Sequence, residues 1–367
     1  MNILFLSYLH GGKWSGPTYS VPRQAEAHSR LDNVFWYNIR KPEVAEWKAL
    51  PYYHDIEEYS QQRIGALPAP FNKPDLVIVE QFYGYADSPL RAELSKGDIP
   101  YVIIPRGELT AEAQSFKKAK KALANLLFFN RFAKNALAIE YLTEREKEES
   151  GDRWNSKAIV VPNGAVMPKK TKTGFSKEGI KCISIGRLDP NQKGLDLLID
   201  ACGICKNALA ENRVSVGIYG PDVFGQKQEL VERIREQRLE KIITVGDGLF
   251  DLEKEYALLD SDVFLLPSRF EGHPMSLIEA LSYGLPCIAG EGSNMRKEVE
   301  NHSAGWTCGN TAESLAEALL AMIKERDSLA EKGRNAVRLA RNYDWDTFAR
   351  TARAEYDMLL KNNRYGK

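Results

Sequence analysis

Short apolar runs recur along the chain, each closed by turn formers and followed by a helix-like stretch. Ile3 to Ser7, Val34 to Ile39, Leu76 to Val79 and Tyr101 to Ile104 read as buried strands of one parallel sheet, which Leu137 to Leu142 and Ile159 to Val161 complete. Their hydrophobicity is continuous rather than alternating, as expected of strands covered on both faces. A helix is predicted over Ser20 to Arg30, and the prolines and small residues between Gln61 and Pro74 read as loop. The second half repeats the plan with strands at Ile180 to Ile185, Val214 to Tyr219, Ile242 to Val245, Val263 to Leu266 and Cys287 to Ala289. A polar stretch, Pro168 to Glu178, separates the halves and reads as a linker. Strand–helix alternation, twice over, predicts two doubly wound α/β domains over 1–167 and 179–345, with a last helix at 346–367. Such sheets bind ligands at the carboxyl ends of their strands, so two facing sheets predict a site in a central cleft.

Composition narrows the class. A chain of 367 residues is long for one core, which agrees with two domains. Apolar and charged fractions of 43% and 27% are those of a soluble globular protein. Fifty basic residues balance fifty acidic ones, so charge gives no sign of a nucleic-acid partner and none is expected. Five scattered cysteines read as reduced thiols in a cytoplasmic protein. Cys202 and Cys205 form a CxxC, but without a second pair and inside a helical pattern no metal or redox site is expected there. No apolar run approaches the roughly 20 residues of a membrane span, and Met1 to Ser7, lacking a basic leader, reads as a strand.

The chemistry concentrates in Ser268 to Glu279. Strand Val263 to Leu266 feeds a loop with Glu271 and Gly272, then Pro274 and a helix from Met275 to Tyr283 that Gly284 closes. Proline at a helix start leaves no orphan donor of its own, so the amides of Met275, Ser276 and Leu277 are expected to face outward as an anion site. Glu271 and Glu279 bracket it; alone they would also fit a loop carboxylate and a surface helix residue. Arg187 and Lys193 follow an earlier strand between Gly186 and Gly194, and one fixed guanidinium plus one mobile ammonium suits a diphosphate. Asp260-Ser-Asp262 has the DxD form of a metal motif, but at the entrance of a buried strand it reads as helix end and strand start. In the first half, Gly11, Gly12 and Gly16 follow the first strand, either to admit a ligand or simply to turn.

These residues resemble a family. Val160-Val-Pro-Asn-Gly164, Gly186-Arg-Leu with Lys193-Gly194, Tyr219-Gly-Pro221 and Leu266-Pro-Ser-Arg-Phe-Glu-Gly272 through Glu279-Ala-Leu-Ser-Tyr-Gly-Leu-Pro286 are similar to the retaining GT-B glycosyltransferases, the large bacterial group using nucleotide-sugar donors. The resemblance covers the second half well; in the first half it is confined to the opening strand with Gly11 and Gly12, and to Ile104-Pro-Arg-Gly107. It implies a GT-B fold of two Rossmann-like domains. Arg187 and Lys193 would hold the donor diphosphate with the amides of Met275, Ser276 and Leu277. Glu279 would bind the ribose hydroxyls, and Glu271 would contact the transferred sugar and steady charge at its anomeric carbon. Tyr219, Gly220 and Val245 to Gly248 would flank the base, and Gly12, Gly272 and His273 would line the donor. No metal or other cofactor is implied. Three departures stand out. Pro105-Arg-Gly-Glu108 replaces a common histidine; Arg106 either points into the cleft or serves as a structural turn residue, and Arg106, Glu108 and Gly16 are the acceptor-side candidates. His273 stands where the family is usually apolar or aromatic, and Glu291 to Glu298 departs from the usual glycine-rich pattern.

One first-half stretch bears on the acceptor. In a regular helix over 116–134, Phe116, Ala119, Ala122, Leu123, Leu126 and Leu127 share one face. Lys117, Lys118, Lys120 and Lys121 lie opposite, with Phe128 and Phe132 on their side. That pattern fits either an ordinary domain helix or one resting on an anionic inner-leaflet surface. The expectation is a metal-independent transferase moving a sugar, from UDP rather than GDP, to a glycan or lipid-linked acceptor in surface polysaccharide or lipopolysaccharide assembly. It would be cytoplasmic, or peripheral on the inner membrane face. An epimerase or hydrolase on the same fold and a catalytically inactive nucleotide-sugar-binding protein are the alternatives.

Overall fold

Two separate parallel sheets organise the chain. The computed structural model describes residues 1–365 apart from 13, 14, 97, 98, 116, 177 and 272. Met1–Gly164 with Trp345–Lys367 form one compact unit, and Ala165–Asp344 form the other.

The first unit holds β1 (Asn2–Ser7), β2 (Asn33–Asn38), β3 (Tyr53–Asp55), β4 (Leu76–Glu80), β5 (Tyr101–Ile104), β6 (Ala138–Tyr141) and β7 (Ala158–Val160), in the order β3-β2-β1-β4-β5-β6-β7. All neighbouring pairs are parallel. The second unit holds β8 (Ile180–Ile185), β9 (Val214–Tyr219), β10 (Ile243–Gly246), β11 (Val263–Leu266), β12 (Cys287–Gly290) and β13 (Gly305–Cys308), in the order β10-β9-β8-β11-β12-β13, again parallel. Strand order therefore reverses between β1 and β4 and between β8 and β11. Loops leaving the strands at such a point diverge to opposite faces and open a crevice.

Both sheets are buried on both faces. Leu4, Leu6, Val77 and Val79 enter one core of the first unit, while Ile3, Phe5, Leu76 and Ile78 enter another. In the second unit, Val263 and Leu265 face one core, and Phe264 and Leu266 face the other. The first helix runs Gly16–Ser29, four residues earlier than predicted at its start, because Pro17 fits a first helical turn. β3 and β13, absent from the sequence reading, are edge strands of three and four residues with too short an apolar signal to stand out.

The predicted linker is packed onto the second unit. The Lys172 amide donates to the Tyr283 carbonyl at 2.7 Å, its ammonium pairs with Asp262 at 3.2 Å, and Phe175 packs against the core. Polar composition marked these residues as free, but their partners are polar groups at the ends of neighbouring elements. Asp262 also accepts from the Ser176 and Lys181 amides, which makes it a structural carboxylate. At the other end of the unit, the Ala165 amide donates to the Tyr343 carbonyl at 2.7 Å, and Ala165 and Asp344 form a parallel bridge. Helix Trp345–Tyr365 then belongs to the first unit, where Ala352 and Tyr356 share a core with Phe5 and Trp36.

The basic helix departs most from expectation. Phe116 lies outside the described residues. Lys118–Ala124 is α-helical, Asn125–Phe129 is a π-turn, and Asn130–Asn135 resumes the α-helix. The wider turn shifts the register, so Phe132 does not lie with the lysines. Phe129 and Phe132 instead enter the core around Phe82, with ring centroids 4.9 and 6.0 Å from it. The leucine-bearing face is open: Leu123, Leu126 and Leu127 are exposed by 59%, 74% and 58%. Lys121 turns inward, donating to the Ala113 carbonyl at 2.6 Å and lying over the Tyr83 ring.

Candidate functional site

In the second unit the sequence places two strand–loop–helix segments side by side. β8 runs into 186–194 and helix Leu195–Ile204; β11 runs into 267–274 and helix Met275–Ser282. Because β8 and β11 are neighbours at the reversal of strand order, their loops meet. Arg269 ties them together. Its amide donates to the Gln192 carbonyl at 3.0 Å, and its guanidinium grips Asp196 through two 2.7 Å bonds. Such a fork-to-fork pair fixes geometry as well as charge.

Two glycines make the approach sterically feasible. Gly194 has φ +63°, and a Cβ there would lie 2.2 Å from the Pro267 carbonyl oxygen. A Cβ on Gly220 would lie 1.6 Å from the Gly186 carbonyl oxygen, so only glycine lets the β9 loop reach the β8 loop.

Lys193 and Glu271 meet inside this junction. The Lys193 ammonium donates to Glu271 Oε1 at 2.6 Å, and the Ser268 hydroxyl donates to the same oxygen at 2.8 Å. The Glu271 backbone is held too: its amide donates to the Gly292 carbonyl at 2.8 Å, and the Asn294 side-chain amide donates to its carbonyl at 2.5 Å. A buried carboxylate fixed at both ends has little rotamer freedom left, so its geometry is set before any ligand arrives. Arg187, exposed, donates to the Gln192 side chain at 2.7 Å. Together with Lys193, Tyr219 and Leu266 it lines a small cavity at the end of β8.

Glu279 sits on the second turn of helix Met275–Ser282 and is half-buried. The ammonium of Lys254 lies 2.7 and 2.9 Å from its two oxygens. The helix start differs from expectation, because Pro274 is the cap rather than the first helical residue. The Met275 amide consequently donates to the His273 carbonyl at 2.9 Å and the Leu277 amide to Pro274 at 3.0 Å. Neither is an outward orphan, so these two amides do not offer the outward-facing donors expected of this helix end. Ser276 lies between those two positions. His273 packs toward Tyr343 with ring centroids 6.1 Å apart. A Cβ on Gly248 would stand 3.0 Å from the Phe250 ring. Gly272 lies outside the described residues.

Residues 168–339 match the profile of the glycosyl transferases group 1 family. This stretch is a glycosyl transferases group 1 domain. Among curated relatives, a putative colanic acid biosynthesis glycosyltransferase of Escherichia coli K12, WcaL, is 31% identical over 159 residues, covering 41% of this chain and 38% of that protein. The matched region thus spans less than half the length of that relative. The solved structure of Anabaena HepE, in complex with UDP and glucose, aligns over 98% of this chain and 100% of its own with a TM-score of 0.65 at 18% identity. WaaG, a glycosyltransferase involved in lipopolysaccharide biosynthesis, aligns over 95% and 98% with a TM-score of 0.61 at 16% identity. At those identities the likeness concerns fold, and the fold is the two-unit α/β plan of GT-B glycosyltransferases.

Within the glycosyl transferase domain, sequence reasoning singled out Arg187, Lys193, Glu271 and Glu279 and missed Lys254, Ser268, Asn294 and the Arg269–Asp196 clamp. Lys254 lies 25 residues from Glu279 in a charged helical stretch, where nothing local distinguishes it. Among the described residues, no three histidine, cysteine or carboxylate side chains converge as a metal-ligand cluster.

The first-unit candidates have different surroundings. Gly11 is required by its φ of +89°, whereas Gly12 and Gly16 have open space where a Cβ would point. Arg106 does not present its guanidinium outward: it donates to Glu80 at 2.6 Å, Ser20 at 3.0 Å, Asn163 at 3.1 Å and Gln24 at 2.7 Å. Glu108 turns inward to accept from the amides of Phe82 and Tyr83 at 2.5 and 3.0 Å, and burial pushes its pKa up. Both therefore hold the first unit's loops together, since the loop after β5 buries polar side chains that must find partners.

Proposed function

We propose that this protein is a retaining, metal-independent glycosyltransferase. It takes a sugar from a nucleoside diphosphate donor, UDP by preference, and passes it to a glycan or lipid-linked acceptor in surface polysaccharide or lipopolysaccharide assembly. The observation that carries this reading is the junction of Lys193, Glu271 and Ser268 beside Arg187 at the β8/β11 crevice. The two cations supply the positive charge a departing diphosphate needs. In this reading Glu271, held by Lys193 and Ser268 before the donor binds, steadies the anomeric carbon as it becomes positive and its bond to phosphate breaks. The leaving phosphate then assists attack from its own face, which preserves the α-configuration. The structural likeness to HepE, whose solved complexes contain UDP, glucose and UDP-glucose, supports UDP over other nucleotides. Polysaccharide assembly is supported by the colanic acid relative and by an amylovoran biosynthesis glycosyltransferase of Erwinia amylovora.

The lysines at 117, 118 and 120 with the open leucines at 123, 126 and 127 fit a surface that rests on anionic lipid, with the protein at the inner membrane face. No helix among the described residues is long and apolar enough to cross a membrane.

The deciding experiment is nucleoside diphosphate release from a panel of UDP-, GDP- and ADP-sugars, with and without candidate acceptors. Acceptor-dependent release unaffected by EDTA, with an α-linked product by NMR, is the expected result. Release to water alone identifies a hydrolase, and nucleotide binding without release identifies an inactive binding protein. A thermal-shift screen against UDP, GDP and ADP reads the base directly, since a ligand at 100 times its Kd stabilises by about 2.7 kcal/mol.

A further inference from the structure

We infer that Lys254 is a specificity-determining residue of the donor site, which fixes the Glu279 carboxylate so that it reads the ribose of the nucleotide. The inference rests on the reading of Glu279 as the ribose-binding carboxylate and adds to it a residue from a different element. Lys254 stands on helix Asp251–Asp260, which precedes β11, and Glu279 on helix Met275–Ser282, which follows it. Its ammonium spans both carboxylate oxygens at 2.7 and 2.9 Å.

Consider Glu279 without that contact. It is about one-third exposed, and a glutamate in such a setting samples several rotamers. Recognition of two neighbouring hydroxyls requires both oxygens at one place and one tilt. A single ammonium bridging both oxygens sets that tilt, and a carboxylate has about four lone-pair sites, so two remain for hydroxyl donors. The same device recurs at the other glutamate of the site, where Lys193 and Ser268 converge on Glu271 Oε1. Each glutamate is thus oriented by a lysine from a separate element. The sites differ in depth: Glu271 is buried, whereas the Lys254–Glu279 pair is partly open to water. A pair partly open to water contributes little to folding, so its geometry bears on ligand recognition more than on stability.

The test uses the full-length protein and calorimetric titration with UDP and with 2′-deoxy-UDP; GDP and its 2′-deoxy form replace them if the nucleotide screen selects guanosine. Wild type is expected to prefer the ribose form. K254M should weaken ribonucleotide binding about tenfold, the loss of one charge-assisted contact, and bring the ribose-to-deoxyribose ratio close to one. K254R, which keeps a cation in reach of both oxygens, should restore much of that ratio. Circular dichroism and the melting temperature of K254M should match wild type. Unchanged affinity or an unchanged ratio in K254M overturns the inference while leaving the glycosyltransferase reading intact. Tighter binding overturns it as well, in favour of a lysine that blocks the ribose position. If wild type binds none of the nucleoside diphosphates, the donor-site reading itself fails.

Discussion

Glu271 and Glu279 are eight residues apart, yet the chain treats them differently. The Glu271 carboxylate is buried between Lys193 and Ser268, whereas the Glu279 carboxylate is half-open with Lys254 against both oxygens. Glu271→Ala removes a preset charge and leaves the Lys193 ammonium partly buried without its partner. We expect turnover to fall about 10²–10³-fold, the scale of one lost transition-state contact, with a much smaller change in KM. Steady-state kinetics with the accepted donor checks this; a change confined to KM would reverse the roles assigned to the two glutamates. Gly220→Ala tests the junction sterically. A methyl group 1.6 Å from the Gly186 carbonyl oxygen forces the β8 and β9 loops apart. A loss of at least about 1–3 kcal/mol is expected from overpacking, read as a lower urea midpoint, together with weaker nucleotide binding.

At the scale of elements, the hydrophobic pattern was most legible where strands are central and continuous. Ile180–Ile185, Val214–Tyr219 and Val263–Leu266 appear at their predicted limits because each is buried inside a sheet. β3 and β13 were not legible, being short edges whose side chains alternate in burial. Helical periodicity failed at 125–129, because a π-turn changes the residue count per turn and no composition rule marks it. Similarly, Arg187 and Lys193 stood out by position after a strand, while Lys254 joins the site only through folding. The open leucine face yields its own prediction. Reversing the charge of Lys117, Lys118 and Lys120 to Glu should abolish sedimentation with vesicles containing anionic lipid, and Leu126→Glu with Leu127→Glu should do the same. Neutral vesicles should bind weakly in every case. Undiminished sedimentation of the charge-reversed protein with anionic vesicles would sink the membrane reading.

At the scale of the whole molecule, stability should depend on pH through buried carboxyls in the first unit. Burial raises Glu140 to about 8, against a lowering hydrogen bond from the Tyr356 hydroxyl at 2.5 Å, and burial raises Glu146 in the same direction. A folded-state pKa above the unfolded value means that the folded protein binds more protons between the two. Stability from this source is therefore full below the unfolded pKa and declines as pH rises toward about 8. Urea midpoints measured from pH 5 to 9 should fall in wild type and flatten in Glu140→Gln, which keeps the shape without the ionisation. The bridge between Ala165 and Asp344 has a different kind of consequence. One uninterrupted stretch of coding sequence carries the entire second unit, and its two ends emerge hydrogen-bonded to each other. A segment with that property is a cassette, so recombination could exchange the second unit while leaving the first unit's own reading frame on either side undisturbed.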